Sequence, residues 1–300
     1  MEEKEKKAPF ADVNPVLFVC IVLFVVFIAY QVIGALITFL VTGGDIKVDS
    51  SNVVLMRILI SFSQFMFILF PAILLSMLQG NKSSSVFRLK NPPLNILLLS
   101  ILGILLIQPS LQVIIHLQDK LFLAIPGVSD LYTQLKEIFK QLEEFTISII
   151  NASSVFEFIG VVFVIAVTPA ICEEFLFRGL ILKNFERVLS WIKACVFTGV
   201  LFAIFHFQPI NIIPLILLGI FLSVITVASD SIYPAIICHF LNNFIAALAF
   251  YIYGKEDFTK EFSGSDELYF IILGIVSLIL FFAIMIYIIK FKNKQIQNIV

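Results

Sequence analysis

Long uninterrupted apolar runs, parted by short polar or turn-forming punctuation, dominate the chain. They fall at about 15–41, 53–79, 94–117, 155–182, 191–208, 211–228, 231–253 and 268–290. Most reach the ~20 residues needed to cross a hydrocarbon core. Backbone polar groups in hydrocarbon must find partners within the segment, so each run reads as a helix. The pattern predicts an all-α polytopic membrane bundle of about eight transmembrane helices, one integral membrane domain over 1–300. Turn chemistry marks several boundaries: TGGD at 42–45, GNKSSS at 80–85 and NPP at 91–93. The fifth and sixth runs are short and are parted only by Gln208, Pro209 and Ile210.

One stretch has a different period. Between 118 and 154, Leu131, Leu135, Ile138, Leu142 and Phe145 recur at alternating steps of four and three, with Lys136, Glu137, Lys140, Gln141, Glu143 and Glu144 between them. That spacing predicts an amphipathic helix resting at the outer interface. A packing helix that covers the bundle is the favoured reading over a functional lid.

Composition removes the competing classes. The 300 residues are 60% hydrophobic and 14% charged, with a mean hydropathy of +1.05. Soluble domains run near 45–50% apolar and about 25% charged. A water-soluble enzyme, a disordered tail, a collagen and a secreted disulfide scaffold are excluded. The formal charge of -1, from 20 Lys+Arg against 21 Asp+Glu, offers no basic field, so no nucleic-acid partner is expected. Cys20, Cys172, Cys195 and Cys238 lie inside apolar runs and read as reduced, packed thiols. The first apolar run is too long for a signal peptide and reads as a retained span.

Lysine and arginine set the orientation. With a cytoplasmic N-terminus, the inner segments carry thirteen of them and the outer segments six, while Arg57 lies just inside the second span. Eight spans then return the lysine-rich C-terminus to the same side. The expectation is a multi-pass cell-membrane protein with both termini cytoplasmic.

Ionisable residues at bilayer depth are costly, about 2.5–3.5 kcal/mol on insertion scales, and line cavities or pathways. The third span offers Gln108, Gln112 and His116. The fourth carries Glu173, Glu174 and Arg178 in CEEFLFRG, the fifth Phe202 and His206 in LFAIFHF, and the seventh His239, Asn242 and Asn243 in ICHFLNN. From a connection apex near residue 190, Glu173 lies 17 positions back and His206 16 positions on. At 1.5 Å per residue both sit about 25 Å from the apex of an antiparallel hairpin. His239, about nine residues into its span, reaches the same depth of roughly 14 Å.

Spacing assigns further roles. Glu174 and Arg178, at i,i+4, form an ion pair, which leaves Glu173 free for chemistry. His239 and Asn243 share a face, with Asn242 in reserve, and Phe202 stacks on the His206 side. Pro169 lacks a donor and frees a carbonyl in the preceding turn, a place for water to enter. Taken singly, each polar group has a structural reading: an interhelical hydrogen bond for a His or Asn, a clip for the Glu–Arg pair. Gln108, Gln112 and His116 are read as structural, and Tyr233 and Pro234 as span-start residues. Two of only three histidines sharing a level with a Glu pair is what argues for a site.

Glu173-Glu174-x-x-x-Arg178, Phe202-x-x-x-His206 and His239-x-x-x-Asn243 resemble the three motifs of the CPBP intramembrane proteases, which include the type II CAAX prenyl endopeptidases and bacterial bacteriocin-processing proteins. The resemblance covers about 155–253, the expected catalytic core. It implies an eight-helix bundle with a catalytic cavity and an intramembrane endopeptidase activity. Carried over, Glu173 and His206 activate a water, His239 and Asn243 stabilise the oxyanion, and Glu174, Arg178 and Phe202 support them.

The residues leave metal open. Glu173, His206 and His239 would serve as Zn²⁺ ligands with water fourth, in keeping with the metalloprotease label the family often carries. No HExxH is present, and Asn243 beside His239 suits an oxyanion hole, so the balance leans to no obligatory metal. The expected partners are membrane lipids and a peptide or prenylated-peptide substrate. Two other classes stay in play. A transporter or proton pathway would string polar residues through the bilayer, whereas a non-catalytic immunity or scaffold factor would keep its function without Glu173.

Overall fold

The computed structural model describes residues 8–44, 48–49, 51–258 and 265–298. Lys4, Lys6, Lys7, Asp45, Lys47 and Lys260, which enter the sequence reading, lie outside them. Among the described residues every regular element is helical. Seven helices of the described residues are long and apolar enough to cross a membrane: α1 (Pro15–Val41), α2 (Val53–Leu78), α3 (Leu94–Ala124), α5 (Val155–Phe185), α7 (Pro209–Ser229), α8 (Tyr233–Gly254) and α9 (Asp266–Gln297). Between them lie α4 (Val128–Ile150) and α6 (Trp191–Phe205).

The polytopic all-α bundle stands, with one difference. The run expected to span at 191–208 forms a helix of only 15 residues, about 22 Å at the helical rise and short of a full crossing. It stops because Phe207 takes a positive φ of 51° and Pro209 follows. The third span, in turn, runs on to Ala124 rather than ending near 117.

Helix starts follow local chemistry. Asn14 accepts from the backbone N–H groups of Val16 and Leu17 at 2.9 and 3.3 Å, with Pro15 in the first turn of α1. Ser154 accepts from Glu157 N–H at 3.2 Å, and Glu157 accepts in return from Ser153, a variant of the capping box that starts α5. Without these acceptors the first amide protons of each helix would be left unpaired.

Lipid exposure explains the surface. Phe24, Leu40, Phe156, Tyr269 and Ile279 are large, apolar and exposed, as helices bathed in hydrocarbon should be. The buried core is centred on α5, α6 and α7, with Phe177, Phe202, Phe221, Leu222 and Ile225 fully enclosed. Two glycines set the α6–α7 spacing. A Cβ on Gly199 would lie 2.6 Å from Ile220 N, and one on Gly219 would lie 2.8 Å from the Gly199 Cα. The two backbones touch, as small residues permit in membrane helix pairs.

The amphipathic helix exists as α4. Leu131, Ile138 and Leu142 are exposed while Tyr132 and Ile149 are buried. Both ends are tied to the bundle. Asp119 accepts from Tyr132 Oη and, at 2.7 Å, from Lys136. Arg57, buried in α2, donates to the carbonyls of Ile149 at 3.0 Å and Asn151 at 2.6 Å. These are carbonyls at the C-terminal end of α4, so the buried arginine caps a helix. His116 and Lys120 both pair with Glu267, joining α3 to α9. Gln112 is exposed. The cysteines are free; Cys172, Cys195 and Cys238 are buried, but Cys20 is exposed rather than packed.

Candidate active site

Among the described residues, four stretches of wider, π-type winding interrupt the spans: Ile28–Gly34, Phe65–Leu69, Phe163–Val167 and Phe175–Ile181. The last two flank Thr168–Glu174 directly. Such bulges leave carbonyls out of the regular ladder and recur at functional sites. Pro169 contributes the same way, because it has no N–H for the turn before it.

Glu173 and Glu174 point different ways. Glu174 is wholly buried, and its Oε1 accepts from Arg178 Nη1 at 2.7 Å and from His239 Nδ1 at 2.8 Å. Arg178, also wholly buried, donates through Nη2 to the Gly219 carbonyl at 3.0 Å. Its guanidinium carbon lies 4.5 Å from the Phe202 ring centre, a cation–π contact inside the bundle. The Gly199–Gly219 approach belongs to this arrangement, since it brings α7 backbone up to the arginine. Charge pairing, hydrogen bonds and a ring face offset the desolvation of the buried pair.

Glu173 faces His206. Glu173 Oε2 lies 3.4 Å from His206 Nε2, is buried, and accepts no hydrogen bond. His206 Nδ1 lies 2.7 Å from the Phe202 carbonyl. A carbonyl can only accept, so Nδ1 carries the proton and Nε2 is the nitrogen turned to the carboxylate. His206 caps the end of α6 rather than sitting within a helix, so the turn between α6 and α7 helps set its place. The ring of Phe202 is the common wall: its centroid is 4.4 Å from that of His206 and 5.9 Å from that of His239.

Asn243 donates to the Ile165 carbonyl at 2.8 Å. Ile165 lies in the π-wound stretch, four positions before Pro169, which has no N–H to offer it. The Asn243 amide meets that carbonyl. Asn242 donates to Asn243 Oδ1 at 3.0 Å, and Gln108 donates to Asn242 Oδ1 at 3.0 Å. Sequence reasoning set Gln108 aside as structural and held Asn242 in reserve; the hydrogen bonds tie both to the site. It also missed Gly219, whose carbonyl holds Arg178.

The proposed zinc set does not form. Among the described residues no three of His, Cys, Asp and Glu are placed to hold one metal ion. His239 is drawn to Glu174, not Glu173, which leaves Glu173 and His206 as a pair.

An apolar groove of about 440 Å³ runs between α2 and α5, lined by Val54, Ile58, Phe62, Phe65, Phe156 and Phe163. Its walls include the π-wound stretches of α2 and α5, which in α5 directly precede Thr168.

Residues 155–245 match the family model described as Type II CAAX prenyl endopeptidase Rce1-like. The match contains all three motifs and bears out the resemblance to the CPBP intramembrane proteases over that part of the chain. It supports a CAAX-type membrane protease and implies a hydrolase acting on peptides. No curated protein and no solved structure matches the chain.

Proposed function

We propose that the protein is an intramembrane endopeptidase in which Glu173 and His206 activate a water against a peptide carbonyl. The observation that carries this reading is the unbonded, buried Glu173 Oε2 at 3.4 Å from His206 Nε2, whose ring is fixed through Nδ1 on the Phe202 carbonyl. Two lone pairs cannot face each other at that separation without a proton or a water hydrogen between them. That requirement supports reading the pair as one that holds and passes a proton.

In the reaction, Glu173 takes a proton from the water as its oxygen bonds to the scissile carbon. The carbonyl π electrons move to oxygen. Asn243 has one amide hydrogen committed to Ile165 and a second for the oxyanion. His239, held through Nδ1 on the Glu174 carboxylate, leaves Nε2 as the ring nitrogen available to the oxyanion. The tetrahedral species collapses, the C–N bond breaks, and the proton held by Glu173 and His206 passes to the leaving nitrogen. Arg178 fixes Glu174 and thereby the His239 ring.

The transporter reading gains no support. Polar groups buried away from Glu173 and Glu174 are engaged in separate structural contacts: Arg57 with the Ile149 carbonyl, Gln118 with the Ile210 carbonyl, Gln79 with Asn184 and Arg88 with Glu186. We place the protein in a cell membrane with peptide substrates of apolar or prenylated character. The test is cleavage of a farnesylated CaaX reporter peptide and of unmodified membrane-spanning peptides by protein in proteoliposomes. Cleavage abolished by Glu173→Ala and by His206→Ala supports the reading. Full activity in either variant ends it.

A further inference from the structure

Three side-chain amides form a directed chain from α3 to α8 to α5. Gln108 Nε2 donates to the Ile104 carbonyl at 3.1 Å and to Asn242 Oδ1 at 3.0 Å. Asn242 Nδ2 donates to Asn243 Oδ1 at 3.0 Å, and Asn243 Nδ2 donates to the Ile165 carbonyl at 2.8 Å. Both ends of the chain are backbone carbonyls, which only accept.

That fixes the facing of every amide. Ile165 requires Asn243 to present its NH₂, which turns Asn243 Oδ1 to Asn242. Asn242 must then present its own NH₂ there and its oxygen to Gln108. Gln108 meets that oxygen with one N–H and spends the other on Ile104. Reversing any one amide sets oxygen against oxygen in a partly buried place and leaves a polar group unsatisfied there. We propose that Gln108 and Asn242 are positioning residues that hold the Asn243 amide with its remaining N–H turned to the reacting carbonyl. This rests on the peptidase reading for its consequence, though not for its geometry.

The geometry accounts for a feature that simple glue does not. Asn242 and Asn243 each bond across to another span, to Gln108 on α3 and to the Ile165 carbonyl on α5. They also bond to each other, and that link, which interhelical glue does not need, couples the facing of Asn243 to Gln108.

The test uses the full-length protein in lipid nanodiscs, labelled with ¹⁵N-asparagine, with the Asn243 side-chain resonance identified by its loss in Asn243→Ala. Gln108→Met and Asn242→Ala break the chain at different members, and each is to be checked for an unchanged thermal transition. Both are expected to shift or broaden the Asn243 amide signal. An Asn243 amide unchanged in both variants overturns the inference. In a reporter-peptide assay, Gln108→Met is expected to lower kcat about tenfold, and at most by the ~100-fold that losing an oxyanion donor costs, with KM unchanged. In the Asn243→Ala background it should have no further effect. Independent, additive losses would contradict the inference. Absence of Glu173-dependent cleavage in the wild type would sink the peptidase reading alone, and the resonance measurement still decides the amide chain.

Discussion

Asn243 on α8 donates its amide to the carbonyl of Ile165 in the π-wound stretch of α5, four positions before Pro169, which has no N–H to offer it. An irregular turn in one span is thus the docking point for a side chain of another. Pro169→Ala returns a backbone donor to that turn and competes with Asn243. Peptide cleavage is expected to fall about tenfold or more while the helix is stabilised by an amount on the order of 1 kcal/mol or more. Thermal unfolding in detergent beside a cleavage assay checks both; an unchanged rate would separate the carbonyl from the chemistry.

Glu174 serves Arg178 and His239 at once. Removing it alone, as in Glu174→Gln, leaves a buried guanidinium uncompensated, a loss of about 3–5 kcal/mol. The double variant Glu174→Gln/Arg178→Met should recover most of that stability but no activity, because His239 still lacks its anionic partner. Expression level, melting temperature and cleavage of the three proteins decide it.

The Gly199–Gly219 contact admits no Cβ. Gly219→Ala is expected to push α6 from α7 at a cost of about 1–3 kcal/mol and to move the carbonyl that anchors Arg178. Melting temperature and cleavage should fall together. Gly160→Ala is the control, since a Cβ there meets nothing within 4 Å and should leave both intact.

At the end of α7, partial burial works to raise the Asp230 carboxyl, but the Lys90 hydrogen bond and the charges of Arg88 and Lys90 outweigh it and hold it below the usual carboxylate range. A carboxyl lowered on folding stabilises above its unfolded pKa, and the contribution is lost as pH falls through the folded value. The wild type should therefore lose stability relative to Asp230→Asn below about pH 4 and keep its margin at neutrality. Melting temperatures of the two proteins across pH 3–7 test the sign.

Much of the fold was legible because hydrocarbon leaves the backbone few options. Apolar run length located seven spans, and turn residues such as Asn91, Pro92 and Pro93 marked their limits. Length failed where apolar sequence outlasts the helix: Phe207 continues the hydrophobic run of α6, yet its backbone has already turned. The motifs made Glu173, His206, His239 and Asn243 legible, and i,i+4 spacing gave the Glu174–Arg178 pair. Contacts made through main-chain atoms were invisible. Nothing in the letters pairs Gly199 with Gly219, sends Arg57 to the end of α4, or tells which amide a glutamine in another span will meet.

The central claim is that the Glu173–His206 pair hydrolyses peptide bonds. Its most direct measurement is mass spectrometry of peptide termini from cells carrying the wild type, Glu173→Gln or His206→Ala, each confirmed as folded and inserted. The claim predicts a set of new peptide termini that are present with the wild type and missing from both variants. Identical termini in all three would contradict it.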